Sequence, residues 1–149
     1  MADLTLTSAN VAPSDNAVTI SGIAAVAIGA GQPVYEDTAA LDSIGRPKFK
    51  LYDANASTPT AITSGVRGIA ANSAGINQPV SVVIYDPAFT HGLTGSPALV
   101  KGDILIASGT PGTIAPVADL ASGMRPAVML ICTSATVAVL QIAQNTTAK

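Results

Sequence analysis

"INQPVSVV", residues Ile76 to Val83, is a loose copy of "AGQPVY", residues Ala30 to Tyr35, and both lead from a glycine into β-branched residues. Gly31, and Gly75 with Asn77, offer turn conformations that a Cβ would hinder. The proline that follows fixes φ at a first strand position, where its missing N–H removes nothing from a ladder. Each copy therefore reads as the start of a strand. A third variant, "VKGDILIAS" (Val100 to Ser108), keeps the turn glycine and the apolar run but has Asp103 and Ile104 in place of Gln-Pro. Spacings of roughly 25 and 45 residues fit repeated hairpin units and not the fixed period of a solenoid.

Outward from these starts, the same pattern of short β-branched or alternating runs recurs. It appears at Asp3–Thr7, Ala17–Ser21, Gln32–Asp37, Lys48–Asp53, Val66–Ala71, Pro79–Asp86, Gly102–Ser108, Gly112–Val117, Ala127–Thr133 and Ala135–Ala143. Gly and Pro together number 23 (13 + 10) and interrupt nearly every window long enough for a helix. Ten short strands at near-regular spacing predict an all-β fold, a barrel or sandwich. One helical turn is expected over Pro116–Gly123, with Gly123 ending it. The stretch Tyr85–Val100, "YDPAFTHGLTGSPALV", reads as a long loop.

Residues 1–16 read as an extended arm and residues 17–149 as the β-rich domain. Leu4 and Leu6 alternate with Thr5 and Thr7 as a strand with one apolar face would, but "SANVAPSDN" follows and supplies linker residues, not a hairpin partner. Such a strand is expected to add to a sheet edge on a neighbouring copy or another protein.

Composition narrows the function classes. Charged residues are 11% of the chain against about 25% in ordinary domains, while 48% are hydrophobic, so the surface is rich in small uncharged side chains. That suits a protein that lies against others. Seven scattered basic residues and a net charge of −2 give no continuous footprint for a phosphate backbone, which argues against nucleic acid. No apolar stretch approaches the ~20 residues that span a bilayer. "MADLTLTSAN" lacks a basic start and an apolar core, so no export signal is read there and the chain is expected to stay where it is made.

The chemistry-bearing residues are few. Cys132 lies in the apolar run "AVMLICT" and reads as a buried thiol; Met124 and Met129 read as gap fillers. His91, with Asp86 and Ser96 near in sequence, lacks a nucleophile-elbow pattern and reads as a solvated loop residue, whose replacement by Ala is expected to stay within about 0.5 kcal/mol. Zinc needs several His or Cys ligands, and Glu36, Asp37 and Asp42 lack the spacing of a calcium loop. The glycines of "GAGQP" and "SGTPG" form no phosphate-binding loop. No enzyme activity and no cofactor are expected. "RPKFKLYD" (Arg46 to Asp53) sets Lys48 and Lys50 opposite Phe49 and Leu51, either a basic docking strip or a strand with one solvated face.

In order along residues 22 to 143, "AAVAIGAGQPVYED", "KLYDAN", "GIAANSAGINQPVSVV", "LVKGDILIAS", "GTIAPVADL" and "RPAVMLICTSATVAVLQI" resemble the capsid cement, or head decoration, proteins of tailed bacteriophages. The resemblance implies a small β-barrel or β-tulip-like domain that binds the major capsid protein on the outer face of the assembled head and stabilises the shell. It implies a homotrimer on the virion exterior, made in the host cytoplasm. Leu4, Thr5, Leu6 and Thr7 of the arm, with Lys48 and Lys50, are then the expected capsid contacts. The alternative is a glycan-binding or adhesin-like β-module, for which the shortage of aromatics leaves few stacking platforms: no Trp, three Tyr and two Phe.

Overall fold

The computed structural model describes residues 3–55, 67–125 and 127–144. It is all-β, with ten strands on the ten runs read from the sequence. These are β1 (Thr5–Ala12), β2 (Val18–Ile23), β3 (Pro33–Leu41), β4 (Pro47–Leu51), β5 (Arg67–Ala70), β6 (Pro79–Thr94), β7 (Ile104–Ala107), β8 (Ile114–Pro116), β9 (Ala127–Cys132) and β10 (Val137–Gln144). They form one sheet of order β4-β3-β5-β6-β10-β9-β7-β8, with β1 and β2 also paired to β6. The expected helical turn is a 3-10 turn, Val117–Asp119.

β6 is 16 residues long and carries four neighbours. Val83 faces Ile69 of β5 on one edge and Thr19 of β2 on the other; Thr90 faces Val137 of β10 and Ala12 of β1. Both edges are filled along its length. Pro87, which has no N–H to give, sits where the ladder to β10 shifts register, and the ladder to β2 shifts just before it, between Val83 and Tyr85. The loop expected at Tyr85–Val100 is therefore mostly strand. Its period of two is real, since Phe89, His91 and Leu93 are buried while Thr90 and Thr94 are not, but Pro87 and Gly92 disguise it as turn sequence.

The core falls into two clusters. One cluster gathers Ala24, Ile28, Val34, Phe49, Ala70, Val80 and Val82 among β2 to β6. The other gathers Leu4, Phe89, Leu93, Leu99, Leu105, Ile114, Met129, Leu130, Cys132 and Leu140. The sheet curls far enough for its ends to meet its beginnings: Ala25 N–H donates to Phe49 O at 2.8 Å, and Leu4 N–H to Ile114 O at 2.9 Å. Two barrel-like lobes thus share β6.

The strand starts are built alike. In Gly29–Gln32 and Gly75–Gln78 the last N–H donates to the first carbonyl (3.2 and 3.0 Å), and the glutamine Oε1 accepts from the first N–H (2.7 and 2.8 Å). The third residue of each has positive φ, Gly31 at 88° and Asn77 at 63°. Pro33 and Pro79 then open β3 and β6. Val100–Asp103 repeats the design with Asp103 Oδ2 accepting from Val100 N–H at 2.8 Å and Gly102 at φ 97°.

The first two turns belong to a longer repeat. "GIAAVAIGAGQPV" (22–34) and "GIAANSAGINQPV" (68–80) share Gly, Ile, Ala, Ala, Gly, Gln, Pro and Val at equivalent places. The hydrogen bonds repeat too: Gly31 N–H to Ala70 O (2.8 Å) answers Asn77 N–H to Ala24 O (2.8 Å), and Ala70 N–H to Gln32 O (3.0 Å) answers Ala24 N–H to Gln78 O (3.0 Å). Ile28 and Ala74, equivalent residues, bond each other reciprocally at 2.9 Å. The two copies are related by an internal two-fold. Their leading glycines are forced by close approach, since a Cβ on Gly22 would lie 2.3 Å from the Phe49 ring and one on Gly68 2.3 Å from Val82.

The N-terminal segment is not a detached arm. β1 pairs with β6 through Thr5–Thr94, Leu6–Leu93, Val11–His91 and Ala12–Thr90, and Leu4 lies in the larger core. The presumed linker is clamped: the buried Asp86 carboxylate accepts from Ser14 N–H at 2.7 Å, Ser14 Oγ at 2.5 Å and Ala88 N–H at 2.9 Å. The partner of β1 is simply remote in sequence. Leu4→Ala should accordingly destabilise the fold by about 2–3 kcal/mol, while Thr5→Ala stays within about 0.5 kcal/mol, as read by urea unfolding.

Candidate docking surface

The β3–β4 hairpin is shaped by one carboxylate. Asp42 accepts from Ile44 N–H (3.0 Å), Arg46 N–H (2.8 Å) and Arg46 Nε (2.8 Å), and these bonds hold its carboxyl below the usual range. A tip fixed in this way has nowhere to put its apolar residue but solvent: Ile44 is 71% exposed. Lys48 Nζ donates to Asn77 Oδ1 at 2.8 Å and so ties the hairpin to the Gly75–Gln78 turn, whose Ile76 is 64% exposed. Ile23, Ile44, Arg46, Lys48 and Asn77 line a groove of about 420 Å³ there. Lys48 makes no ion pair among the described residues. Asp42 also lines the groove and neutralises Arg46 at 2.8 Å, so this end of the molecule is apolar with Lys48 as its uncompensated charge.

The other lobe carries the opposite combination. Leu4, Leu99, Ile104, Pro116 and Val117 line a groove of about 460 Å³ edged by Asp3, Asp103 and Asp119. Asp103 is occupied by Val100 N–H and Asp3 bonds the Ser108 hydroxyl, whereas Asp119 makes no ion pair among the described residues. Beside the groove, Ile104 pairs across to Ile131 and Ile131 to Val139, a partly exposed apolar row on three neighbouring strands.

Of the residues singled out in the sequence, Leu4 is buried and Leu6 half-buried, both turned inward, with Thr5 and Thr7 exposed. Alternation on β4 is as read, Phe49 being buried between half-buried Lys48 and Lys50. Lys50 is committed elsewhere: its Nζ lies 2.5 Å from the buried Asp37 carboxylate, which also accepts from Ala39 N–H at 2.9 Å. The Lys50 bond is the main reason that the Asp37 carboxyl sits low, and it raises the lysine in return. Lys48 alone of the two faces outward without a carboxylate.

The Asp86, His91 and Ser96 set is not brought together. Asp86 is engaged by Ser14 and Ala88, Ser96 is exposed, and His91 is no loop residue: it is 1% exposed within β6. Its Nδ1 accepts from Leu93 N–H at 3.0 Å, which assigns the proton to Nε2, a buried atom with no hydrogen-bond partner among the described residues. Burial pushes the imidazole below its ordinary value. Cys132 is buried, and burial followed by the Asp103 charge pushes its thiol up, away from the reactive thiolate. Among the described residues no three His, Cys, Asp or Glu are grouped to hold a metal, and no helix is long and apolar enough to cross a membrane.

Sequence reasoning missed Ile44, Ile76 and Asp119. The first two carried a usable signal, since an apolar residue in the middle of a short turn must point outward. Compared with protein-family models, curated proteins and solved structures, the chain matches none.

These buried groups set two pH windows. His91 prefers its neutral form when folded, so the stability it supports is full above its unfolded value of about 6.5 and declines as pH falls below it. Asp37 prefers its charged form when folded, so its contribution holds above about 3.9 and is lost only as pH falls further, through its lowered folded value. Denaturant titrations from pH 8 to pH 3 should show both declines. His91→Asn should flatten the upper one alone and Asp37→Asn the lower one alone. His91→Ala should cost about 1–3 kcal/mol at neutral pH, not the small effect expected of a loop residue.

Proposed function

We propose that this chain is a capsid decoration, or cement, protein of a tailed bacteriophage, binding the major capsid protein on the outer face of the assembled head and stabilising the shell. The observation that supports this reading is the surface. An otherwise charge-poor β fold exposes several large apolar side chains, among them Ile44 beside Lys48 in one groove and Ile104 and Val117 beside Asp119 in another. Patches of that kind serve contact with other proteins. The protein is made in the host cytoplasm and comes to rest on the virion exterior, as a homotrimer. Of the capsid contacts expected from sequence, Thr5 and Thr7 are exposed to serve, whereas Leu4 and Leu6 turn to the core and Lys50 is paired with Asp37. The reading calls on no cofactor and no catalytic group.

Purified chain mixed with undecorated heads should co-sediment with them in a fixed stoichiometry, appear as ordered density on the shell, and raise the temperature at which heads rupture. Binding to glycans with no affinity for heads would favour an adhesin-like module instead.

A further inference from the structure

The two patches differ in sign and lie in different lobes, on opposite sides of β6 in the strand order. One is a preset tip, with Ile44 pushed outward beside Lys48, while Arg46 is paired with Asp42. The other is an apolar groove whose free carboxylate is Asp119. We propose that copies of this chain join head to tail, the Ile44 tip of one seated in the Asp119 groove of the next. This contact rests on the self-association in the reading above and not on its capsid partner.

Three features support a second copy as the occupant. The tip is already ordered by the Asp42 hydrogen bonds, so docking it loses little conformational freedom. The groove, at about 460 Å³, has room for an isoleucine side chain with its neighbours, and Ile104 and Val117 on its wall are 37% and 42% exposed. The charges then decide the pairing. Lys48 meeting Asp119 is favourable, whereas tip against tip would oppose like charges, as would groove against groove. A two-fold contact through either patch is disfavoured. A contact between unlike patches leaves one of each free on every pair, so it continues until a ring closes, or forms a filament where the rotation does not close.

Sedimentation velocity over a range of protein concentrations tests this without heads present. The wild type should associate, less tightly as salt is raised. Lys48→Glu and Asp119→Lys should each weaken association at least tenfold, and Ile44→Ser, at an exposed position that cannot disturb the core, should do the same. The double variant carrying both charge reversals should regain association. A wild type that stays monomeric at every concentration would overturn the proposal, as would single reversals that associate normally or a double variant no better than either single. Head binding by a monomeric wild type would leave the cement reading standing while removing this one. Circular dichroism of each variant reports whether its β fold is intact, and Ile44→Ser carries the test should either charge reversal fail to fold.

Discussion

Four strands hydrogen-bond to β6, two on each edge, and neither barrel-like lobe can form without it. A single 16-residue strand therefore carries the connection between the halves of the protein. Its first half, Pro79 to Tyr85, joins β2 and β5 in the smaller core; its second half joins β1 and β10 in the larger one. The hand-over between the two sets of partners falls at Tyr85 to Pro87. There the proline cannot donate to a ladder, and the aspartate turns its carboxylate to the β1–β2 connection instead. Burying a carboxylate is costly unless it is bonded, and Asp86 accepts three hydrogen bonds. The change of partners along β6 and the docking of the N-terminal segment thus meet at Asp86.

The repeated turn explains how such a sheet is aimed. At Gly29–Gln32, Gly75–Gln78 and Val100–Asp103 a side-chain oxygen closes on the N–H three residues back, so each strand leaves its turn in a set direction. A proline or isoleucine follows as the first strand residue. The first two turns sit within related 13-residue segments that bond to each other about an internal two-fold. The lobe of β2 to β6 thus has the form of a duplicated unit. The second of these turns also places Ile76 in water, as the separate Asp42-capped turn places Ile44, which links the fold's construction to its contact surface.

All ten strands were legible because glycine and proline punctuate the sequence at the right intervals and the runs between them alternate or are β-branched. What could not be read was pairing over distance. Thr5 and Thr94 are partners, and so are Ser14 and Asp86, but no local pattern announces either, and an unpaired strand at the start of a chain looks like an arm. The second half of β6 was hidden for the opposite reason, because Pro87 and Gly92 imitate a loop and so made the buried His91 look solvated. Of the docking surface, Lys48 was visible as a charge opposite Phe49. The Asp119 groove was not, being assembled from residues near 3, 97, 104 and 117 that share no sequence signal.

With β1 part of the fixed scaffold, surface patches and not a free terminus are left to make contacts. Native-state hydrogen exchange on the isolated protein measures this directly. Exchange of the backbone amide of Leu4, bonded to Ile114, should be as slow as that of Val82 and Val83 in the centre of β6, opening only with global unfolding. Rapid exchange at Leu4 and along β1, with β6 still protected against β2, β5 and β10, would contradict it and restore the N-terminal segment as a detachable arm.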